Sequence, residues 1–308
     1  MANESRVASL PHCQDTRERD RLSTRLLHGP RLKREITRAM NWLGRTSPRL
    51  SLSFSTALRE LAFPFRSGVL PPPLKLRDDV QVYANLFREA TTNFSNTVSR
   101  FRAETNWPRG RIFNNLFESV DAELYYSMIR SFKPSQVIEI GAGNSTWFAR
   151  DALRANRHGT LSAIDPSTRL ALPRECHLEK LPLQEVDLSC FRTLQGNDIL
   201  FIDASHTMEE ALYVTERIYP VLCPGVFIHH HDISFPYAAF ASVVRDLGDT
   251  EQTVMLDFLL HHAKAFEVFT SAAFVGYENP DLVRRLVPSS VHARRSNQSS
   301  LWIRKVKN

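Results

Sequence analysis

Three acids in this chain follow short, largely apolar runs, where a carboxylate is placed to meet a ligand. Asp165 follows residues 161–164, Asp203 follows 199–202 in NDILFIDASH, and Asp232 closes VFIHHHD. Runs this short and apolar read as buried parallel strands, and open α/β sheets bind ligands at the carboxyl ends of such strands. A fourth run, 137–140, leads into Gly141 and Gly143 within QVIEIGAGNSTWFA. Glycine permits positive φ and carries no Cβ, so a ligand can approach the backbone of that turn. Asn144 or Ser145 can cap the helix that follows, whose free N–H groups would then face the ligand.

Histidines stand beside two of these acids. His206 lies three residues after Asp203, and Thr207 with Glu210 forms a T-x-x-E capping box that fixes a helix start directly behind it. His206 is thereby held at the mouth of the cleft. An imidazole with an ordinary pKa of about 6.5 can accept a proton near neutral pH, which makes Asp203 and His206 the expected catalytic pair. His229, His230 and His231 precede Asp232. Strand alternation sends His229 and His231 to one face and His230 to the other, so the triplet cannot chelate as a block. Buried, hydrogen-bonded histidines are expected there.

The elements that must position these residues can be read in order. Residues 80–102 and 116–132 are expected to be helices, the second with an apolar stripe of Leu116, Val120, Leu124, Met128 and Ile129. The loop NWPRGRIFNN separates them. A helix runs from Thr146 to Arg157 and stops at His158-Gly159. Further strands are expected at 177–181, 266–274 and 300–306, and the helix after His206 runs to about Tyr219.

The chain has 308 residues with 43% hydrophobic content, enough to bury a full core. It contains no apolar run of about 18 residues, and its opening residues have no apolar signal segment, so a cytoplasmic protein with no membrane contact is expected. Cys13, Cys176, Cys190 and Cys223 show no CxxC pairing and read as reduced thiols. The formal charge of +6 is concentrated in residues 1–50, which hold eleven Lys or Arg against five Asp or Glu. A basic arm on a neutral body argues against a nucleic-acid substrate, which would need a basic stripe beside the cleft. The expected organisation is an arm and Pro-rich connector over 1–75, a helical lid over 76–135, and a ligand-binding α/β domain over 136–308.

The glycine turn resembles motif I of the class I S-adenosylmethionine-dependent methyltransferases. Glu139 stands where that family has an acid two residues before the first glycine, and Ser145 stands where a third glycine often lies. The resemblance covers roughly residues 79–306. It implies an α/β fold with a Rossmann-like, doubly wound seven-stranded sheet whose last strand is antiparallel. It also implies S-adenosylmethionine bound by Glu139, Gly141, Gly143, Asn144 and Ser145. Asp165 lies 22 residues beyond Gly143, close to the ~20 at which a strand-two carboxylate meets an adenosine ribose. The family counterpart of Val186 and Asp187 lies near the adenine. Lid helices make Arg109, Arg111, Asn114 and Asn115 candidate contacts, although a solvated loop is expected of any one of them.

The implied activity is O-methylation of a hydroxylated small molecule. Two devices could deprotonate its hydroxyl: a histidine base or a metal. Metal-dependent O-methyltransferases hold Mg²⁺ with acids at the ends of strands four and five, here Asp203 and Asp232. Neighbouring strands about 4.8 Å apart let two carboxylates converge on one cation, with no third protein ligand evident. Macrolide-sugar methyltransferases carry a histidine at the spacing of His206 from Asp203. Two rival readings remain. An NAD(P)-dependent Rossmann oxidoreductase would need glycine where Thr146 stands, and a non-catalytic protein of this fold would bind partners through its basic arm. Homo-oligomerisation is left open.

Overall fold

The computed structural model describes residues 85–307 apart from 115, 204, 235–250, 252, 253, 256, 257, 260, 261, 263 and 293–297. The expected basic arm and connector lie outside these residues, as does Asn115. The described residues belong to the unit Gly68–Asn308.

One seven-stranded sheet organises them, in the order β3-β2-β1-β4-β5-β7-β6. Its strands are β1 Gln136–Ile140, β2 Thr160–Ile164, β3 Cys176–Glu179, β4 Ile199–Ile202, β5 Phe227–His230, β6 Phe266–Ser271 and β7 Leu301–Lys305. β1 to β5 pair in parallel, and β7 inserts antiparallel between β5 and β6. The doubly wound sheet with an antiparallel last strand is therefore present. The strand order reverses direction between β1 and β4, the point at which such sheets open a crevice for ligands.

Every residue of β4 and β5 is buried, because helices cover both faces. Alternation along the strands divides the core in two. Ile138, Ile140, Leu200, Ile202 and Ile228 face one layer, while Val137, Ile199, Phe201 and Phe227 face the other. The second layer is closed by α3 (Asp121–Phe132) and α4 (Asn144–Asn156), with the Tyr125 ring stacked on Phe201 at 4.5 Å between centroids. The first described helix, α1 (Ala90–Ser99), is tied to β6 by Asn93 Nδ2 donating to the Phe269 carbonyl and Thr270 Oγ1 donating to that of Ala90. Between them lies the single turn α2, Arg109–Ile112.

Two of the boundaries that differ from the sequence expectation have a visible cause. α3 starts at Asp121, not Leu116, because Asn114 Oδ1 accepts the N–H groups of Leu116 and Phe117 and holds a turn there. Leu116 is consequently exposed, while Val120, Leu124, Met128 and Ile129 form the buried stripe. β6 stops at Ser271, whose hydroxyl accepts the Phe274 N–H and starts α7, Ala272–Glu278. Between β3 and β5 lie the short α5 (Ser189–Arg192) and α6 (Met208–Tyr213), and α8 (Pro280–Leu286) follows α7. Among the described residues no helix is long and apolar enough to cross a membrane.

Candidate active site

The site has two halves, and the first is the turn between β1 and α4. Gly141 has φ +85 and donates its N–H to the Ile164 carbonyl, so the turn leans on the end of β2. Gly143 does not use positive φ. Its backbone is extended, φ −179, and an added Cβ would meet nothing within 4 Å, so the glycine borders open space instead of relieving strain. Gly143 is itself the N-cap of α4, and neither Asn144 nor Ser145 caps the helix through its side chain. Thr146 supplies the contact: its Oγ accepts the Gly143 N–H at 3.0 Å and donates to Glu139 Oε2 at 2.5 Å.

Glu139 is fully buried, and its other oxygen accepts the Tyr125 hydroxyl at 2.9 Å. Burial pushes its carboxyl up to about 7 against the opposing bonds from Thr146 and Tyr125. Both oxygens are thus engaged beneath the turn. Asp165 binds the turn from the other side, with Oδ2 accepting the Ala142 N–H at 3.0 Å and Oδ1 that of Ser167 at 2.8 Å. Asp187 is exposed and accepts the Ser189 N–H at the start of α5, while Val186 is buried.

The second half gathers at the carboxyl ends of β4 and β5. The Asp203 N–H donates to the carbonyl of Ile140 at 2.9 Å, which sets this acid directly beside the glycine turn. The Thr207 hydroxyl accepts the Glu210 N–H as expected. The Glu210 carboxylate, however, reaches back to Ser205, accepting both its hydroxyl and its N–H. Bound from both sides, the turn holds His206 at φ +55, and Asp232 sits at φ +60 at the end of β5. Such backbone is uncommon for residues with a side chain. It turns both residues toward Asp203: His206 Nε2 lies 3.3 Å from Asp203 Oδ1 and 3.7 Å from Asp232 Oδ2.

Around this trio stand groups that local sequence did not assign. Glu251 Oε2 is 2.7 Å from His206 Nδ1, and its Oε1 is 3.2 Å from His230 Nδ1. His231 Nδ1 lies 3.5 Å from both Asp203 Oδ1 and Asp232 Oδ1, and its Nε2 lies 3.6 Å from Asp121 Oδ2, the first residue of α3. Asp121 in turn accepts the N–H groups of Ser299 and Ser300, while the Ser299 hydroxyl donates to Asp232. His229 and His230 match the expectation of buried, hydrogen-bonded side chains, paired with Ser300 and Tyr219 on opposite faces. His231 is buried as expected, but it is set among three carboxylates.

This setting changes the chemistry expected of His206. Burial alone would lower its pKa, but Asp203 and Glu251 hold it up to about 11. The expectation of a base with an ordinary pKa is therefore corrected: with these neighbours the imidazole keeps its proton at neutrality. Burial would raise Asp203 and Glu251, yet His231 and His206 hold Asp203 well below the usual carboxylate range, and His206 and His230 bring Glu251 to about 2. His231 is raised by Asp232 and Asp203 against its burial, whereas burial and the neighbouring His231 keep His229 neutral.

Asp203, His206 and Asp232 each offer one ligand atom, and these lie within 4.8 Å of one another. The trio fits a divalent cation, and His206 supplies the third donor that Asp203 and Asp232 lacked. Mg²⁺ is the poorer match, since it favours all-oxygen sets. The lid loop residues are engaged locally. Arg109 is exposed over Phe113, Arg111 pairs with Asp151 over the rings of Trp107 and Phe148, and Asn114 is consumed by its own turn.

Comparison with known proteins places the same segment. Residues 138–233, from β1 through Asp232, match the family model described as a methyltransferase domain. An uncharacterised protein of Archaeoglobus fulgidus is 33% identical over 94 residues, 28% of this chain, and the chain spans 42% of that relative's length. Among solved structures, the fold is similar to an SAH-bound methyltransferase of Podospora anserina at 14% identity and TM-score 0.42, covering 78% of this chain and 99% of that one. It is also similar to an O-methyltransferase of Bacillus cereus in complex with SAH, at 14% identity and TM-score 0.41, covering 74% and 96%.

Proposed function

We propose, from the match of residues 138–233 to a methyltransferase domain and the likeness of the glycine turn to motif I of the class I S-adenosylmethionine-dependent family, that the chain moves the sulfonium methyl group to a hydroxyl oxygen of a small molecule. The observation that carries this reading is the bond from the Asp203 N–H to the Ile140 carbonyl. It joins a turn suited to the cofactor to a charged cluster suited to the acceptor, so donor and acceptor can be held in line.

In this reading the open space beside Gly143 and the first N–H groups of α4 receive the cofactor. Asp165 accepts its ribose hydroxyls with the lone pairs left by Ala142 and Ser167, and Asp187 stands toward the adenine. Glu139 acts beneath the turn through Thr146. Asp203, His206 and Asp232 receive the acceptor hydroxyl. As the new C–O bond forms, the C–S bond breaks, its electron pair stays on sulfur, and the hydroxyl proton passes to a water at the half-open mouth lined by Asp203 and Asp232. A cation bound to those two acids would supply the acidity the hydroxyl lacks. His206, protonated when the cluster holds no cation, orients the acceptor oxygen.

The test offers methyl-labelled S-adenosylmethionine with a panel of phenols, sugars and hydroxylated acids. Label in one hydroxyl class supports the reading. Calorimetric binding of NAD with no binding of S-adenosylmethionine overturns it and restores the oxidoreductase alternative.

A further inference from the structure

The acceptor end of the site has the composition of a nitrogen-containing metal site, and the side chains around it prepare the nitrogen. Glu251 Oε2 meets His206 Nδ1 at 2.7 Å, which holds one ring proton on that atom, so that an ion displacing the other proton would find Nε2 as the donor facing Asp203 and Asp232. A histidine that ligates a metal through one nitrogen characteristically gives its other N–H to a carboxylate, which sets the tautomer and strengthens the donor. The distances from Nε2 to the two acids, 3.3 and 3.7 Å, are long for hydrogen bonds. The first suits two donors that share one ion, since ligand atoms each about 2.1 Å from a metal stand about 3.0 to 3.4 Å apart, and the second is a few tenths of an ångström wider.

A second imidazole points the same way. His231 is 6% exposed, its Nδ1 is buried with no hydrogen-bond partner, and that atom lies 3.5 Å from both carboxylates. A buried ring nitrogen is costly unless something answers it, and this one is answered by the charges of the two acids without a hydrogen bond to either. Its use here is a further nitrogen beside the two acids.

We infer that Asp203, His206 and Asp232 hold a divalent first-row transition cation in preference to Mg²⁺, with Glu251 as the outer carboxylate that prepares His206. Imidazole raises affinity for manganese, iron, cobalt, nickel and zinc, whereas Mg²⁺ takes oxygen donors and gives up its waters reluctantly. The inference uses the proposed function only to say what the cation serves, and its binding is measured without turnover.

The test uses the full chain, stripped with a chelator and titrated with Co²⁺ alone, following the visible absorption bands of the bound ion, then repeated with millimolar Mg²⁺ as competitor. One Co²⁺ per chain, retained against Mg²⁺ and displaced by Zn²⁺, is expected. Glu251→Gln should weaken Co²⁺ binding by about 10- to 100-fold, as removal of an outer carboxylate does. His206→Asp, which makes the trio all oxygen, should narrow the preference for Co²⁺ over Mg²⁺. Melting curves show that each variant is folded. If one variant fails to fold, the other and the wild-type competition still decide the matter.

Equal or tighter binding of Mg²⁺, or no binding of either ion, overturns the inference. The cluster would then be a pure ion-pair network of histidines and acids. S-adenosylmethionine binding, measured by calorimetry on the same preparations, separates the two ideas. Cofactor bound without Co²⁺ sinks only the cation, and Co²⁺ bound without cofactor sinks only the methyltransferase reading.

Discussion

The two halves of the site are built in opposite ways. The glycine turn is local: Glu139, Gly143 and Thr146 bond to one another within eight residues, and Asp165 closes the turn at the end of the next strand. Its one buried acid sits near neutrality. The acceptor cluster draws on five separate segments, from Asp121 through Asp203, Asp232 and Glu251 to Ser299, and is held by ion pairs between acids and histidines. A local turn folds with its strand and can serve any cofactor chemistry. A cluster assembled across the chain fixes what reacts, and it depends on the whole sheet being formed.

The sharpest break of that contrast removes chemistry and leaves the cofactor in place. His206→Ala should lower turnover by about 10²-fold or more, because the acceptor oxygen loses the group that orients it and a misplaced reactant costs about that much. Asp203→Asn should do the same. Calorimetric affinity for S-adenosylmethionine should hold in both variants, because neither residue contacts the Gly141 turn through its side chain. Unchanged turnover in His206→Ala would remove that residue from the mechanism.

A second effect concerns stability and belongs to the interior beneath both halves. Burial raises Glu139 and Glu123 to about 7 from an ordinary 4.5. A carboxyl raised on folding binds its proton more tightly in the native state. Its stabilisation is therefore complete below the unfolded pKa and is lost as pH rises through the folded one. Each group should cost at most about 3 kcal/mol of stability between about pH 4.5 and 7. Glu123 offers the cleaner measurement, since its hydrogen bonds go to Ser119 and Ser289 and not to the cofactor turn. Chemical denaturation of Glu123→Gln across that interval should show a shallower loss of stability than the parent chain. An identical slope would show that Glu123 ionises freely when folded.

How much of this was legible follows the same division. β4 matches its expected span residue for residue, and β1 and β2 lie within one residue of theirs, because fully buried parallel strands are short apolar runs bounded by polar residues. Asp165, Asp203 and Asp232 were placed by those strand ends. Glu251 was not visible, since nothing within its own neighbourhood points to His206, 45 residues away. Asp121 looked like an ordinary acid in a helix's first turn, and its partners Ser299 and Ser300 stand 178 and 179 residues on. His231 was read correctly for face and wrongly for company, because alternation reports direction and not what waits there. The pKa of His206 failed for the same reason: a shift depends on neighbours that only the fold brings together.

A smaller effect sharpens the cofactor half. Asp165→Ala should weaken S-adenosylmethionine by about 10- to 100-fold, which corresponds to losing one charge-assisted bond of about 1.5 to 3 kcal/mol. Co²⁺ binding at the acceptor cluster should be unaffected. If cofactor affinity survives, Asp165 serves only the backbone of Ala142 and Ser167.

The smallest expected effect is from the basic arm. Every residue assigned to either half of the site lies at or beyond Asp121, whereas the charge excess of the chain lies in residues 1–50. The arm's arginines would add to the affinity of a neutral body for an acidic partner. Deleting residues 1–70 should therefore leave both S-adenosylmethionine affinity and Co²⁺ affinity close to those of the intact chain. A truncated protein that keeps its melting transition and loses the cofactor would show that the arm completes the first half of the site. Loss of Co²⁺ alone would assign the arm to the second, and the contrast between a local turn and a long-range cluster would have to be redrawn to include it.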